Sequence, residues 1–189
     1  MKIKSLLAAV ALVGSVVSAP MAAPIIGGYV IADGGSVTAT FLGQAAGYTS
    51  DLYLVINAND SQYVFTNHTT PVGSTANLGN FAAGQELEFF IYVRNTGNTF
   101  YTGPGSRNTD GVAHAVVDGD FAGGTATYVG FEDLLGGGDL DYDDLYFSFS
   151  NTSGSTTPGN PAVPEPGTLA LLGLGLIGMT VVARRKRAK

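Results

Sequence analysis

The chain contains no cysteine among its 189 residues. This absence excludes disulfides, thiolate catalysis and cysteine-ligated metal sites. Catalytic patterns are missing too: there is no Gly-x-Ser-x-Gly elbow, no His-Glu-x-x-His and no phosphate-binding Gly-x-x-x-x-Gly-Lys. Two histidines, His68 and His114, are the only imidazole bases. We therefore predict a non-catalytic protein.

Basic residues are almost absent from the middle of the chain. Between Pro24 and Val163 there are fourteen Asp or Glu residues and only two bases, Arg94 and Arg107, so this part carries a formal charge of −12 against −6 for the whole chain. Such a segment repels nucleic acid and anionic lipid, which bind Lys and Arg. We expect cations or basic molecules as partners and no nucleic acid; the alternative is that the charge only keeps the protein soluble.

The N-terminus has the pattern of a secretory signal peptide. Lys2 and Lys4 precede a twelve-residue apolar run, Leu6 to Val17, and small residues follow it. The run is too short to span a membrane. We predict a signal peptide over residues 1–23, with cleavage between residues 18 and 23.

The C-terminus pairs a short apolar segment with a basic tail. Thr168 to Ala183 is uncharged and mostly apolar, somewhat shorter than the ~20 residues that span a bilayer. A basic cluster stays on the cytoplasmic side, so we predict a transmembrane helix with the preceding domain outside. The basic tail consists of Arg184, Arg185, Lys186, Arg187 and Lys189.

The last residues resemble a known bacterial signal. Pro164, Glu165 and Pro166, then a Gly/Leu-rich helix, then an arginine cluster resemble the PEP-CTERM sorting signal. The resemblance covers residues 164–189 and implies a Gram-negative bacterium with an extracellular matrix. It implies processing by a membrane transpeptidase of the exosortase type, with an intermediate anchored in the inner membrane and a product at the surface or in the matrix. An ordinary single-span anchor is the alternative.

The middle of the chain predicts an all-β, antiparallel sandwich of the jelly-roll kind over residues 24–150. Short runs rich in β-branched and aromatic residues alternate with clusters of Gly, Asn, Asp and Pro, and no window shows helical periodicity. Residues 151–163 are polar and rich in Ser, Thr, Gly and Pro, so we predict a linker there. The predicted strands cover residues 29–31, 37–41, 52–56, 62–65, 87–93, 113–117, 125–129 and 145–149.

One stretch, FEDLLGGGDLDYDDLYF at 131–147, holds six of the fifteen acidic residues. Leu145, Phe147 and Phe149 stand at alternate positions and so face one way, as the buried side of a strand does. Extending that alternation backwards would bury three carboxylates, which is too costly without partners. The strand must therefore begin near Asp143 or Asp144, and residues 136–142 must form an irregular loop.

Carboxylates this dense indicate a hard cation, and Ca²⁺ takes ~6–8 oxygen ligands from flexible loops. Asp139-x-Asp141-x-Asp143 resembles the first half of an EF-hand loop but lacks its later Gly and Glu, so we expect a calcium loop of another kind. The alternatives are a solvated acidic turn and a glycosidase pair formed by Glu132 with Asp139 or Asp141. The predicted ligands are Asp139, Asp141 and Asp144 first, then Asp143, Glu132, Asp133 and Asp110.

A second polar cluster spans residues 100–115. Asn108 and Asp110 lie in a turn and would offer oxygens to the same ion if the two loops share one end of the sandwich. His114 is more often a structural histidine than a ligand. Arg107 is a candidate partner of the acidic stretch at 131–147, and the alternative is that it is simply exposed. Whether the two loops meet in space is left open.

Both clusters together resemble a bacterial exported domain of unknown function, number 4114, from about Gln85 to Ser150. The resemblance implies a β-rich extracellular domain with no established enzymatic activity, which matches a surface or matrix protein stabilised by Ca²⁺. The rival hypotheses are a carbohydrate-binding module, with Tyr48, Tyr53, Tyr101 and Tyr142 as candidate sugar platforms, and a glycan hydrolase. A matrix polysaccharide is the partner we expect beside the transpeptidase. The residues that carry the resemblance are 99–103, Asn108, Asp110, Gly111, His114, 129–134, Gly138, Asp139, Asp141, Tyr142 and Asp144.

Overall fold

A computed structural model of the protein describes residues 23–159. Within that range the chain forms strands joined by turns, with one short helical turn α1, Phe121–Gly124, and one 3-10 turn, Gly105–Arg107. The strands are β1 Ile25–Ile26, β2 Tyr29–Ala32, β3 Gly35–Gly43, β4 Ser50–Asn57, β5 Asp60–Thr66, β6 Thr75–Phe81, β7 Glu86–Leu87, β8 Phe89–Val93, β9 Asn98–Tyr101, β10 Ala115–Asp118, β11 Ala126–Phe131, β12 Leu145–Ser150 and β13 Thr152–Ser155.

The strands form three antiparallel sheets. The largest has six strands in the order β1-β10-β11-β12-β3-β6, and a second has four in the order β5-β4-β8-β9. A third, smaller sheet has the order β13-β2-β7. Every hydrogen-bonded pair among them runs antiparallel.

The core lies between the six-stranded and the four-stranded sheet. Phe149 of β12 stacks on Phe89 of β8 with ring centroids 4.1 Å apart, and Phe147 stacks on Phe65 of β5 at 6.2 Å. Leu145, Phe147 and Phe149 are fully buried, as their alternation predicts. Burying each such ring stabilises the fold by about 1.5–3 kcal/mol. The prediction of an all-β sandwich is confirmed.

Two local expectations differ from the structure. The predicted strand over 87–93 is two strands, because β7 pairs with β2 while β8 pairs with β4 in another sheet. The linker expected over residues 151–163 is wrong at its start, because Thr152–Ser155 forms β13 and pairs with β2; residues 160–163 lie outside the described range. Small polar residues hide this strand from a reading based on hydrophobic alternation.

Both targeting segments lie outside the described residues, apart from residue 23. They comprise the predicted signal peptide, the Pro164-Glu165-Pro166 motif, the predicted transmembrane helix and the basic tail. Within residues 23–159 there is no helix with the length and apolar character to cross a bilayer.

Candidate cation site in the acidic loop

Adjacent strands of the six-stranded sheet hold the two ends of the acidic loop, residues 132–144. Phe131 at the end of β11 pairs with Leu145 at the start of β12. The loop therefore leaves and re-enters the sheet at one point. β12 begins at Leu145, next to the start near Asp143 or Asp144 that the burial argument predicts. Gly136, Gly137 and Gly138 have φ of 84°, 84° and 53°, in the region that glycine adopts without strain.

Two residues beyond the glycines also have left-handed backbone. Leu140 has φ 62° and Tyr142 has φ 57°, a conformation that costs an L-residue about 1–2 kcal/mol. Tyr142 is held by its surroundings: its side chain is buried, its N–H donates to Glu132 Oε1 at 2.7 Å, and its hydroxyl donates to the Ala113 carbonyl at 3.3 Å. These contacts fix the backbone directly after Asp141.

Three carboxylates converge inside this loop. Glu132, Asp139 and Asp141 each place one oxygen so that all three lie within 4.8 Å of one another. Two oxygens that bind one Ca²⁺ at ~2.3–2.6 Å are at most about 5 Å apart, so the set fits one calcium ion. Glu132 is buried while the two aspartates are exposed, which leaves the site open to water as a source of further ligands.

The electrostatics of the set reflect this crowding. Burial raises the pKa of Glu132, the N–H of Tyr142 opposes that change, and the carboxylates of Asp144, Asp141 and Asp139 add to it. Burial and the Asp141 carboxylate likewise raise the pKa of Asp143. Negative charge on this loop is therefore costly, and a cation would relieve the cost.

Asp133 and Asp144 form a second acidic pair beside the set. The Asp133 N–H donates to Asp144 Oδ2 at 2.9 Å, and Asp133 Oδ2 accepts from the Ser50 hydroxyl of β4 at 3.2 Å. Burial and the Asp144 carboxylate raise the pKa of Asp133 to about 6. Asp144, predicted as a leading ligand, thus lies in this pair, whereas Glu132, predicted as a second choice, lies in the converging set.

Asp110 and His114 tie the second polar cluster to the loop. Asp110 Oδ2 contacts His114 Nε2 at 2.8 Å and accepts from the Gly136 N–H at 2.8 Å, while His114 Nδ1 contacts the Glu132 carbonyl at 3.0 Å. The buried imidazole stacks on Phe100 with centroids 3.8 Å apart. The two loops therefore meet, and His114 is a structural residue.

Asp110 is occupied by these contacts. Burial alone would raise its pKa, but the hydrogen bonds from the Gly136 N–H, His114 and the Val112 N–H outweigh burial and lower the pKa to about 2. Asn108 is occupied as well, because its side chain accepts from the Tyr101 N–H and donates to the Val112 carbonyl. Neither residue belongs to the converging set.

Both arginines of the described chain are engaged away from the acidic loop. Arg107 pairs with Glu86 at 2.6 Å and lies 5.1 Å from the centre of the Tyr29 ring. Arg94 pairs with Asp51 at 2.7 Å. The expected contact between Arg107 and the acidic loop is wrong, because the guanidinium pairs with Glu86 of β7 instead. Within residues 23–159, the loop therefore has no arginine to neutralise it.

Comparison with protein families locates the site in a known domain. Residues 81–152 match the family model described as Domain of unknown function (DUF4114). Residues 162–187 match the PEP-CTERM protein-sorting motif. Both resemblances drawn from the sequence are confirmed, and the DUF4114 segment contains the whole acidic loop, Asp110 and His114. The sorting motif indicates an exported protein that an exosortase-type system processes through a membrane-anchored intermediate. Searches of curated proteins and of solved structures found no match.

One member of the site has no signal in the sequence. Ser50 opens β4, more than eighty residues before Asp133, and it reaches the acidic pair because β4 starts beside the loop. A lone serine at a strand start looks like any turn residue. Ser50 can be found only when it is known which strands begin on the same side of the sandwich as the loop.

Proposed function

We propose that this chain is a non-catalytic exported protein of the cell surface or extracellular matrix whose acidic loop binds Ca²⁺. The observation that carries the proposal is the convergence of Glu132, Asp139 and Asp141, with one oxygen of each inside a sphere that fits a single ion. The PEP-CTERM match supports the location. The location and the metal site are separate parts of the proposal.

The donor set favours calcium over other cations. All three converging groups are carboxylates, and hard oxygen ligands suit Ca²⁺ and Mg²⁺ rather than Zn²⁺ or copper. The nearby imidazole of His114 already contacts oxygens at both ring nitrogens, so it offers no nitrogen ligand. Mg²⁺ demands near-ideal octahedral geometry and keeps its waters, whereas Ca²⁺ accepts irregular loops.

The role of each ligand follows from its contacts. Glu132 Oε1 accepts from the Tyr142 N–H, so its second oxygen is the one that would face the ion. Asp139 and Asp141, both exposed, would complete the protein's share, and water or an anionic matrix polysaccharide would supply the rest. A bound ion would hold the loop in its left-handed conformation and link the domain to that partner.

The test is thermal unfolding of the full chain in Ca²⁺, in Mg²⁺ and in chelator. A ligand at a hundred times its dissociation constant stabilises the folded state by ~2.7 kcal/mol, so we expect a clear rise in Tm with Ca²⁺ and little with Mg²⁺. The double variant Asp139→Asn/Asp141→Asn should lose the rise.

A matched control removes the same charge elsewhere. Asp33→Asn/Asp60→Asn changes two exposed aspartates far from the loop in sequence, and this variant should keep the calcium response. The proposed metal site is wrong if Tm does not respond to Ca²⁺, if Mg²⁺ gives an equal rise, or if the loop variant responds like the control.

A further inference from the structure

A cavity of about 630 Å³ opens on the four-stranded sheet, away from the acidic loop. Pockets for small molecules span roughly 300–1,000 Å³ and combine an apolar surface with a few polar groups. The lining here comes from the adjoining ends of β4 and β5 with the turn between them, from the residue just before β8, and from the outer face of β8 and β9. It comprises Val55, Asn57, Ala58, Asn59, Asp60, Ser61, Glu88, Phe90 and Tyr101.

The apolar part of the cavity belongs to a row of rings across all four strands. Tyr63 of β5, Tyr53 of β4, Phe90 of β8 and Tyr101 of β9 are direct register partners in turn. Their centroids are 5.7, 5.0 and 5.2 Å apart along the row. The alternate residues of β4 and β8 are buried in the core, so this row is the outer face of the sheet, and Phe90 and Tyr101 line the cavity.

The polar part of the cavity combines one charge-paired group with groups that face solvent. Glu88 is half-buried, and its Oε2 lies 3.7 Å from Arg107 Nη1, in an ion pair longer than a hydrogen bond. Burial raises the pKa of Glu88, with Arg107 opposing that change. The exposed side chains of Asn59, Asp60 and Ser61 add amide, carboxylate and hydroxyl groups that face solvent.

We propose that this cavity binds a neutral saccharide. A sugar ring has an apolar C–H face, which packs on aromatic side chains, and a rim of hydroxyls, which pair with carboxylates and amides. The cavity presents both kinds of surface side by side. Its two carboxylates, Asp60 and Glu88, disfavour phosphates and acidic sugars. The proposed ligand is therefore a neutral sugar, unlike the anionic polysaccharide proposed as a partner of the calcium loop.

A protein partner fits this surface less well. A stable interface buries about 800 Å² on each partner around an apolar centre. The larger apolar side chains in the lining, Val55, Phe90 and Tyr101, are half-buried, and the other lining residues are polar except Ala58. The cavity therefore has the area and chemistry of a small-ligand site.

The saccharide site is independent of the calcium loop. Ser50 at the start of β4 contacts Asp133 of the loop, whereas Val55, five residues further along β4, lines the cavity. At about 3.3 Å per residue, these two points are about 17 Å apart. Saccharide binding should therefore persist in chelator, and its failure would leave the calcium proposal untouched.

The test is affinity electrophoresis of the full chain in native gels that contain one polysaccharide each, in chelator. The probes are β-glucan, xylan and mannan as neutral polymers and polygalacturonate as the anionic comparison. A detergent without a sugar headgroup keeps the predicted membrane segment soluble without competing for the site. We expect at least one neutral polymer to retard the protein and polygalacturonate to leave it unretarded.

Variants locate the binding on the sheet. Tyr101→Ala and the shape-preserving Glu88→Gln should each weaken retardation at least tenfold. Tyr92→Ala is the matched control, because Tyr92 is exposed on the same face of β8 but does not line the cavity, and it should bind like the wild type.

Four outcomes would overturn the proposal. They are no retardation by any neutral polymer, stronger retardation by polygalacturonate, equal weakening by Tyr92→Ala, and dimerisation of the chain that Tyr101→Ala abolishes, which would make a second copy the occupant.

Discussion

The two ends of strand β4 serve two different surfaces, and both are acidic. At the Ser50 end, oxygens of Glu132, Asp139 and Asp141 converge within 4.8 Å. Backbone N–H groups of the loop donate to Glu132 and to the neighbouring Asp144. At the Val55 end, Asp60 and Glu88 stand beside aromatic rings, and no third carboxylate lines that cavity. A cation site therefore differs from a surface suited to hydroxyl groups chiefly because several of its carboxylates converge on one point, and less because of the charge itself.

The two ends also differ in how they are held. The acidic loop depends on side chains for its shape, since His114, Asp110 and Tyr142 fix its backbone. The aromatic row does not depend on such side-chain contacts, because antiparallel pairing places its four rings opposite one another. Variants that remove these side-chain contacts should therefore weaken the proposed calcium site and leave the proposed saccharide site intact.

The largest expected effect comes from His114→Leu. The variant removes the imidazole contact of the Glu132 carbonyl, at about 1–3 kcal/mol for a buried acceptor left unsatisfied. It also removes one partner of the Asp110 carboxylate, which keeps the N–H groups of Gly136 and Val112. We expect a large fall in Tm and weaker calcium binding, while saccharide binding of the still-folded protein is unchanged. Thermal unfolding and both binding assays check this.

The matched control for that variant is His68→Leu. His68 is exposed and contacts only the Tyr48 carbonyl through its ring, at 2.9 Å, so the change in stability should stay within about 0.5 kcal/mol. Equal losses from the two histidine variants would show that His114 does not support the loop.

A smaller effect, confined to the acidic end, is expected from Gly138→Ala. A Cβ at this position would lie 2.6 Å from Glu132 Oε2, so it would displace the carboxylate. Gly136→Ala is the control, because φ is also positive there but a Cβ would meet no atom within 4 Å. Both variants should lose about 1–2 kcal/mol of stability through backbone strain, and only Gly138→Ala should weaken calcium binding markedly. Calcium titration separates them, and equal affinities would remove Glu132 from the ligand set.

Much of this fold could be predicted from the sequence. Alternation of buried residues in β3, β4 and β12 identified the strands, and the cost of burying carboxylates placed the start of β12 at the end of the acidic loop. The strands that escaped prediction are short or poor in large apolar residues, such as β6 with its sequence TANLGNF and β13 with TSGS. Their partners hold them in place, and a single sequence does not show the partners.

The candidate site could be predicted only in part, because side-chain direction in a loop depends on backbone angles. Tyr142 has a positive φ and a buried side chain, so this candidate sugar platform is a structural residue. Tyr48 likewise packs against the core. Tyr53 and Tyr101 do lie in the outer row, but their neighbours in that row come from strands whose pairing the sequence does not reveal.

The smallest expected difference between the two ends is in how much each makes the stability of the protein depend on pH in chelator. The pKa of Asp133 is about 6 in the folded protein against an ordinary value of 3.8, so the folded state binds the proton more tightly. Stability should therefore rise as pH falls from 7 towards 4, by at most about 1.4 kcal/mol per pH unit from this one group. Asp133→Asn should flatten that rise.

Glu88 supplies the comparison at the other end of β4. Burial raises its pKa as well, but the group is half-buried and reaches solvent, so Glu88→Gln should flatten the pH dependence less than Asp133→Asn. Saturating Ca²⁺ should reduce the rise in the wild type, because positive charge at Glu132, Asp139 and Asp141 disfavours a proton on the neighbouring Asp133 carboxylate. It should leave the contribution of Glu88 unchanged. Chemical denaturation at pH 4, 5, 6 and 7 measures both slopes. The comparison fails if the stability of the wild type does not change with pH, or if Glu88→Gln alters that change more than Asp133→Asn. Either result would show that charge repulsion in the acidic loop costs no more stability than the carboxylate at the cavity.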